Sequence, residues 1–191
     1  MIGPNDAVDR RGFLGEALKL VVGKATELLA DRVAPRRHFR PPGALPEAGF
    51  LAACTRCGYC TEACPVDAIA PAPTSAGLAA GTPIIEPSVQ PCIACEGMFC
   101  AAVCPTGALV PPLTGWARER LGDLEIDTVR CIAFQGTECG VCARACPIGS
   151  AALDLDHAGR PFLRDGCVGC GVCVRVCVTT PASLVLTLRG S

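Results

Sequence analysis

Large aromatic side chains are scarce in this chain: six Phe, one Tyr and one Trp among 191 residues. Histidine and methionine occur only twice each. The apolar fraction is 50 %, but much of it is Ala and Cys, which bury little area per residue. A core built from side chains alone would be thin for this length, so something else has to fill part of the interior. No run of 18 apolar residues occurs, which argues against a membrane-spanning helix. The net charge is −1, too small for a disordered chain of this apolar content. Residues 1–40 carry eight Lys/Arg and five Asp/Glu, and residues 41–191 carry nine and thirteen. With no basic stripe in the longer part, nucleic acid is not an expected partner.

What the chain has in quantity is cysteine, 16 in all, in four groups of four. Cys54, Cys57, Cys60 and Cys64 precede Pro65; Cys92, Cys95, Cys100 and Cys104 precede Pro105. Cys131, Cys139, Cys142 and Cys146 precede Pro147; Cys167, Cys170, Cys173 and Cys177 precede Val178. The leading cysteines are 38, 39 and 36 residues apart. A small residue followed by an aliphatic one comes after each group: Ala68-Ile69, Ala108-Leu109, Ala152-Leu153 and, more loosely, Ser183-Leu184. A fixed period with one internal order is an internal repeat.

Groups one and four read C-x2-C-x2-C-x3-C, the spacing that holds cubane [4Fe–4S] clusters in bacterial ferredoxins. Three thiolates on a tight loop cap three irons of one cube, and the fourth, about a helical turn further on, points to a neighbouring one. Disulfides fit poorly, because each cysteine's nearest neighbours lie in its own loop. Structural zinc usually uses two separated C-x2-C pairs rather than a tetrad within eleven residues. The C-x3-C-x2-C spacing of radical-forming clusters does not occur. All sixteen cysteines are therefore read as iron ligands of four [4Fe–4S] clusters.

Beyond the cysteines, the chain resembles the ferredoxin-type proteins of periplasmic nitrate reduction and methylamine utilisation, the NapG/MauM type. The resemblance runs from about Arg10 to Val185. It is carried by the segments 40–44 and 75–83, and by the C-x2-C-x4-C-x3-C-P spacing of motif two. The C-x7-C-x2-C-x3-C-P spacing of motif three, with Phe134-Gln135-Gly136 inside it, and the missing proline after motif four complete it. The resemblance implies a small, loop-rich α+β fold of two ferredoxin-like halves, each holding two clusters. It implies motif one paired with four and two with three. Cys54, Cys57, Cys60 and Cys177 would then share one cluster, and Cys167, Cys170, Cys173 and Cys64 its neighbour. Cys92, Cys95, Cys100 and Cys146 would hold the third, and Cys131, Cys139, Cys142 and Cys104 the fourth. Pairing of consecutive motifs stays open as the alternative.

The N-terminus fits this pattern less well. Asp9-Arg10-Arg11-Gly12-Phe13-Leu14 resembles a twin-arginine export motif, but Glu16, Lys19, Lys24, Glu27 and Asp31 interrupt the apolar stretch that a signal peptide needs. Leu14, Ala17, Leu18, Val21, Ala25, Leu28 and Leu29 recur at helical spacing. The reading is an amphipathic helix over 11–32, packed on its own cluster domain or docked on a partner, and a cytoplasmic protein with periplasmic export as the alternative. Residues 1–40 would comprise this helix and a basic linker, Arg36-Arg37-His38-Phe39-Arg40, read as solvated; residues 41–191 would form the cluster-bearing domain.

The remaining segments give coarse expectations. Residues 152–155 and 161–163 read as a hairpin turning at 157–160, and residues 124–127 as a strand leading into Cys131. Residues 71–83 and 110–115 read as loops, and Trp116 as part of a helix over the second half. Tyr59 reads as a shield for the first cluster. His38 and His157 have no cysteine neighbour at ligand spacing. No phosphate-binding glycine loop or nucleophile–base pair is present. Such a chain reads as a non-enzymatic relay of single electrons between redox partners. By resemblance the donor is a quinol-linked membrane protein or another ferredoxin, and the acceptor a terminal oxidoreductase. The second reading is a maturation factor that supplies electrons or clusters to a client enzyme.

Overall fold

The computed structural model describes residues 35–189. The N-terminal helix and the arginine pair fall outside them. Within the described residues no helix is long and apolar enough to cross a membrane. The fold is built from short pieces joined by loops. In the first half α1 (Glu47–Ala53) runs into Cys54, α2 (Tyr59–Glu62) carries the end of motif one, and β1 (Ile69–Pro71) follows it. After a 3-10 turn at Thr74–Ala79, β2 (Pro83–Ile85) leads into motif two, whose last cysteines flank and occupy α3 (Phe99–Ala102). In the second half β3 (Asp123–Ile126) leads into motif three and α4 (Val141–Arg144). β4 (Leu153–Leu155), β5 (Pro161–Leu163), α5 (Val172–Arg175) and β6 (Leu184–Thr187) complete it.

Four-residue helices do not persist alone. They hold here because α2 packs on α3 and α4 on α5. A left-handed residue starts each of them: Gly58, Met98, Gly140 and Gly171. Met98 at φ 39 carries the strain that glycine would avoid.

Strand pairing decides which motifs are neighbours. β1 leaves motif one and pairs antiparallel with β2, which enters motif two, with Ile69 opposite Ile85. Ala44, before motif one, bridges Leu109, after motif two. β4 leaves motif three and pairs with β5, which enters motif four, with Leu153 opposite Leu163. β3 closes the second half against β6, Ile126 opposite Leu184. The halves are therefore built from consecutive motifs, and the expected pairing of one with four and two with three is not the one formed. A short hairpin that ends one motif and begins the next holds that pair together.

The two halves meet through a shared apolar cluster that contains Ile69, Ile85, Cys92, Leu121, Val168 and Cys170. Leu121 N–H donates to Val168 O at 2.8 Å, and Arg175 Nε donates to Val89 O at 3.1 Å. At Gly171 (φ 88) a side chain would put its Cβ 2.4 Å from Pro87 Cβ, so only glycine permits this approach.

Three further expectations change. The basic segment is not solvated throughout: Phe39 bridges Ile85, and Arg40 is fully buried. Arg40 Nε donates to Glu47 Oε2 at 3.1 Å and Nη1 to Thr82 Oγ1 at 2.8 Å, while its guanidinium lies 4.5 Å from the Phe50 ring centroid. A buried guanidinium is tolerable only with such a full set of partners. Residues 71–83 form a closed hairpin with a 3-10 turn rather than a wrapping loop. Trp116 sits in a single 3-10 turn, Gly115–Ala117, and its Nε1 donates to Cys95 O at 2.8 Å. It therefore packs on the first half and on the apolar cluster where the halves meet, and no helix forms over the second half at this point. The hairpin at 153–163 and the strand before Cys131 form as expected.

Candidate metal centres

Four pockets collect the sixteen cysteines, four in each. The first is lined by Cys54, Cys57, Cys60 and Cys104. The second is lined by Cys64, Cys92, Cys95 and Cys100. In the other half one pocket takes Cys131, Cys139, Cys142 and Cys177, and the other takes Cys146, Cys167, Cys170 and Cys173. Each pocket takes three cysteines from one motif and the last cysteine of its partner in the same half. The exchange is reciprocal: Cys104 serves motif one and Cys64 serves motif two. Cys177 is in the Cys131 pocket, not with Cys54, and Cys146 is with Cys167, not with Cys92. The four sets expected from the cross-pairing are thus regrouped, with no cysteine left over.

The donor chemistry fits [4Fe–4S] clusters. Among the described residues no group of three or more His, Cys, Asp or Glu is arranged to hold a single metal ion. Zinc would need four sulfurs drawn to within roughly 4 Å of one another. Each pocket instead brings together four cysteines from two separate motifs, the donor number of one cubane. Burial, followed by repulsion from neighbouring thiolates, pushes the Cys173 thiol well up. Burial pushes Cys92 and Cys100 up to about 12 and Cys170 to about 11, beyond what nearby backbone N–H groups offset. Thiols in that position do not ionise alone; iron supplies the positive charge that makes them thiolates, and metal binding becomes folding energy. The clusters also account for the thin side-chain core.

The last cysteine of each motif differs from the first three. Ala68 N–H donates to Cys64 Sγ at 3.3 Å, Leu109 N–H to Cys104 at 3.4 Å, and Ser183 N–H to Cys177 at 3.4 Å. These donors belong to the small–aliphatic pairs that recur after each motif, and all eight residues of those pairs are buried. The small residue lets the chain pass close over the sulfur. Cys177 also meets two hydroxyls, Thr179 Oγ1 at 3.2 Å and Ser183 Oγ at 3.3 Å. Although burial raises it, these hydroxyls and the nearby N–H groups bring the Cys177 thiol down to about 7. Cys104 is also lowered: burial raises it, but the Leu109 N–H, the Thr106 hydroxyl at 3.7 Å and nearby backbone N–H groups outweigh that.

The hydroxyls are the functional groups that reading the sequence missed. The available signal was the recurrence Cys-x-Thr at the last cysteine of motifs two and four, against Val66 and Ile148 in motifs one and three. Tyr59 lines the first pocket as expected, yet 53 % of it is exposed. Neither histidine lines any of these four pockets.

Two reciprocal pairs of four-cysteine pockets define a tandem of two-cluster ferredoxin modules. Comparison with known families agrees: residues 53–108 and residues 123–178 each match a 4Fe-4S dicluster domain. The chain is 42 % identical to the ferredoxin-type protein NapG of Escherichia coli (strain K12) over 154 residues, 77 % of this chain and 67 % of that protein. It is 44 % identical to the methylamine utilization ferredoxin-type protein MauM of Methylophilus methylotrophus over 117 residues, 61 % of this chain and 52 % of that one. NapG of Haemophilus influenzae is 36 % identical over 165 residues, 80 % of this chain and 58 % of its own length. No solved structure matches. The chain belongs to the NapG/MauM family of ferredoxin-type proteins. It is an iron–sulfur electron carrier with four [4Fe–4S] clusters, not an enzyme.

Proposed function

We propose that each pocket's four cysteines are the ligands of one cluster, and that the clusters form a single line. The order is the Cys104 pocket, the Cys64 pocket, the Cys146 pocket and the Cys177 pocket. The observation that carries this reading is the reciprocal exchange of last cysteines within each half. The crossing between halves is supported by Cys92 and Cys170, which belong to the one apolar cluster shared by the two halves. When bound, each cubane passes one electron between its 2+ and 1+ states. The chain's part is to hold the thiolates, donate hydrogen bonds to them and exclude water from the middle of the line.

The two end pockets are the proposed points of entry and exit. Cys57 and Tyr59 are exposed at one, and Val178 at the other. A donor docks at one end and an acceptor at the other; a quinol-linked membrane protein and a terminal oxidoreductase suit these roles. Iron and acid-labile sulfide, measured on protein purified without oxygen, test the ligand reading. About sixteen of each per chain are expected from four cubanes. Zinc without sulfide would overturn it.

A further inference from the structure

The four repeats differ at the sulfur that each module lends to its partner. Cys64 and Cys146 serve the inner pockets, and Val66 and Ile148 follow them two residues on. Cys104 and Cys177 serve the end pockets, and the residue two on is Thr106 or Thr179. Only motif four adds a second hydroxyl. Its small–aliphatic pair opens with Ser183, where the other repeats have Ala68, Ala108 and Ala152. Ser183 is 2 % exposed, and both its N–H and its hydroxyl reach Cys177 Sγ, at 3.4 and 3.3 Å. Thr179 adds its own hydroxyl at 3.2 Å. An iron-bound thiolate carries no proton, so at such a sulfur both hydroxyls act as donors. In motif three, Ile148 and Ala152 stand where motif four has Thr179 and Ser183, so Cys146 is offered neither of these hydroxyls.

Donors aimed at a ligating sulfur stabilise the more negative, reduced form of a centre and so raise its reduction potential. We infer that Thr179 and Ser183 set the Cys177 centre above its Cys146 neighbour in potential, so that electrons crossing into the second half collect at the Cys177 end. The two residues are positioning residues, acting through the sulfur. The inference rests on the ligand sets proposed above and adds a polarity to the line.

The test is an anaerobic redox titration followed by electron paramagnetic resonance on the full chain, with iron and sulfide counted in each sample. Ser183→Ala installs the residue that the other three repeats carry at this place, and Thr179→Val removes a hydroxyl at nearly constant volume. With iron and sulfide unchanged, one reduction step should move to lower potential in each variant. It should move further in the double variant, and Thr179→Ser should restore it. Unshifted steps in a double variant with four intact centres would overturn the inference while leaving the relay in place. An equal shift of all four steps would also overturn it, as would loss of iron from both single variants, since the hydroxyls would then be structural. A parent protein without cubane signals would remove the ligand reading and this inference together.

Discussion

The first half of the molecule closes around a buried charge pair, and the second closes around strands at its surface. In the first half the outer contact between the chain before motif one and the chain after motif two is a single bridge, Ala44 to Leu109. Arg40 and Glu47 reinforce it from inside, 0 % and 4 % exposed. In the second half the same outer contact is a four-residue ladder, β3 on β6. Its ion pairs, Asp127–Arg130, Asp154–Arg164 and Asp123–Arg189, lie at or near the surface. One repeat unit has thus been closed in two ways, with the cysteine exchange kept the same. The cysteines and the hairpin between consecutive motifs specify the module, and the outer closure is free to vary.

Removing each half's ion pair should give unequal results. Arg40→Ala leaves buried Glu47 with only Arg36, whose Nε lies 3.9 Å away, and should cost about 3 kcal/mol, the lower end for breaking a buried pair, read as a lowered denaturant midpoint. The loss should start in the first half, with the second half's signals persisting to higher denaturant. Glycine gives a second contrast. Gly58 and Gly171 hold equivalent places at φ 86 and φ 88, but a side chain meets nothing within 4 Å at Gly58 and meets Pro87 at Gly171. Gly58→Ala should cost about 1–2 kcal/mol from the left-handed backbone alone. Gly171→Ala should cost about 1–3 kcal/mol more, from overpacking at the junction, and it should slow electron exchange between the halves while Gly58→Ala does not. The smallest effect belongs to Asp154→Asn. It breaks the surface pair with Arg164 and should change stability by less than about 1 kcal/mol. A loss as large as that of Arg40→Ala would erase the distinction between the two closures.

Much of this was legible in the residues. The cysteine spacing points to the cluster type and to the sixteen cysteines proposed as its ligands, because a cubane needs thiolates at fixed loop positions. The hairpin read at 152–163 and the strand read at 124–127 correspond to β3, β4 and β5 of the second half, whereas β6 was not read as a strand. The spacing does not say which module lends its last cysteine to which, since a sulfur one turn along a helix can face either neighbour. That choice is made by Ile69-Ala70-Pro71 and Pro83-Ile84-Ile85, whose three-residue ladder is too short to stand out as a periodic signal. Arg40 was misread for a related reason. A basic run looks solvated until its partner is known, and that partner is a lone Glu47 at the start of a short helix seven residues away. The hydroxyls at Cys177 escaped because Ser183 looks like a loose member of a small–aliphatic pair, when its difference from alanine is what matters.

The pairing of modules is tested most directly by counting iron in double cysteine variants. Cys57 and Cys104 line one pocket, and Cys177 lines another in the opposite half. Cys57→Ala with Cys104→Ala should therefore remove one centre, a loss of about four irons per chain, no more than either substitution alone. Cys57→Ala with Cys177→Ala should remove two centres, about eight irons. The reverse result, eight lost with Cys104→Ala and four with Cys177→Ala, would contradict pairing within consecutive motifs and restore the crossed arrangement.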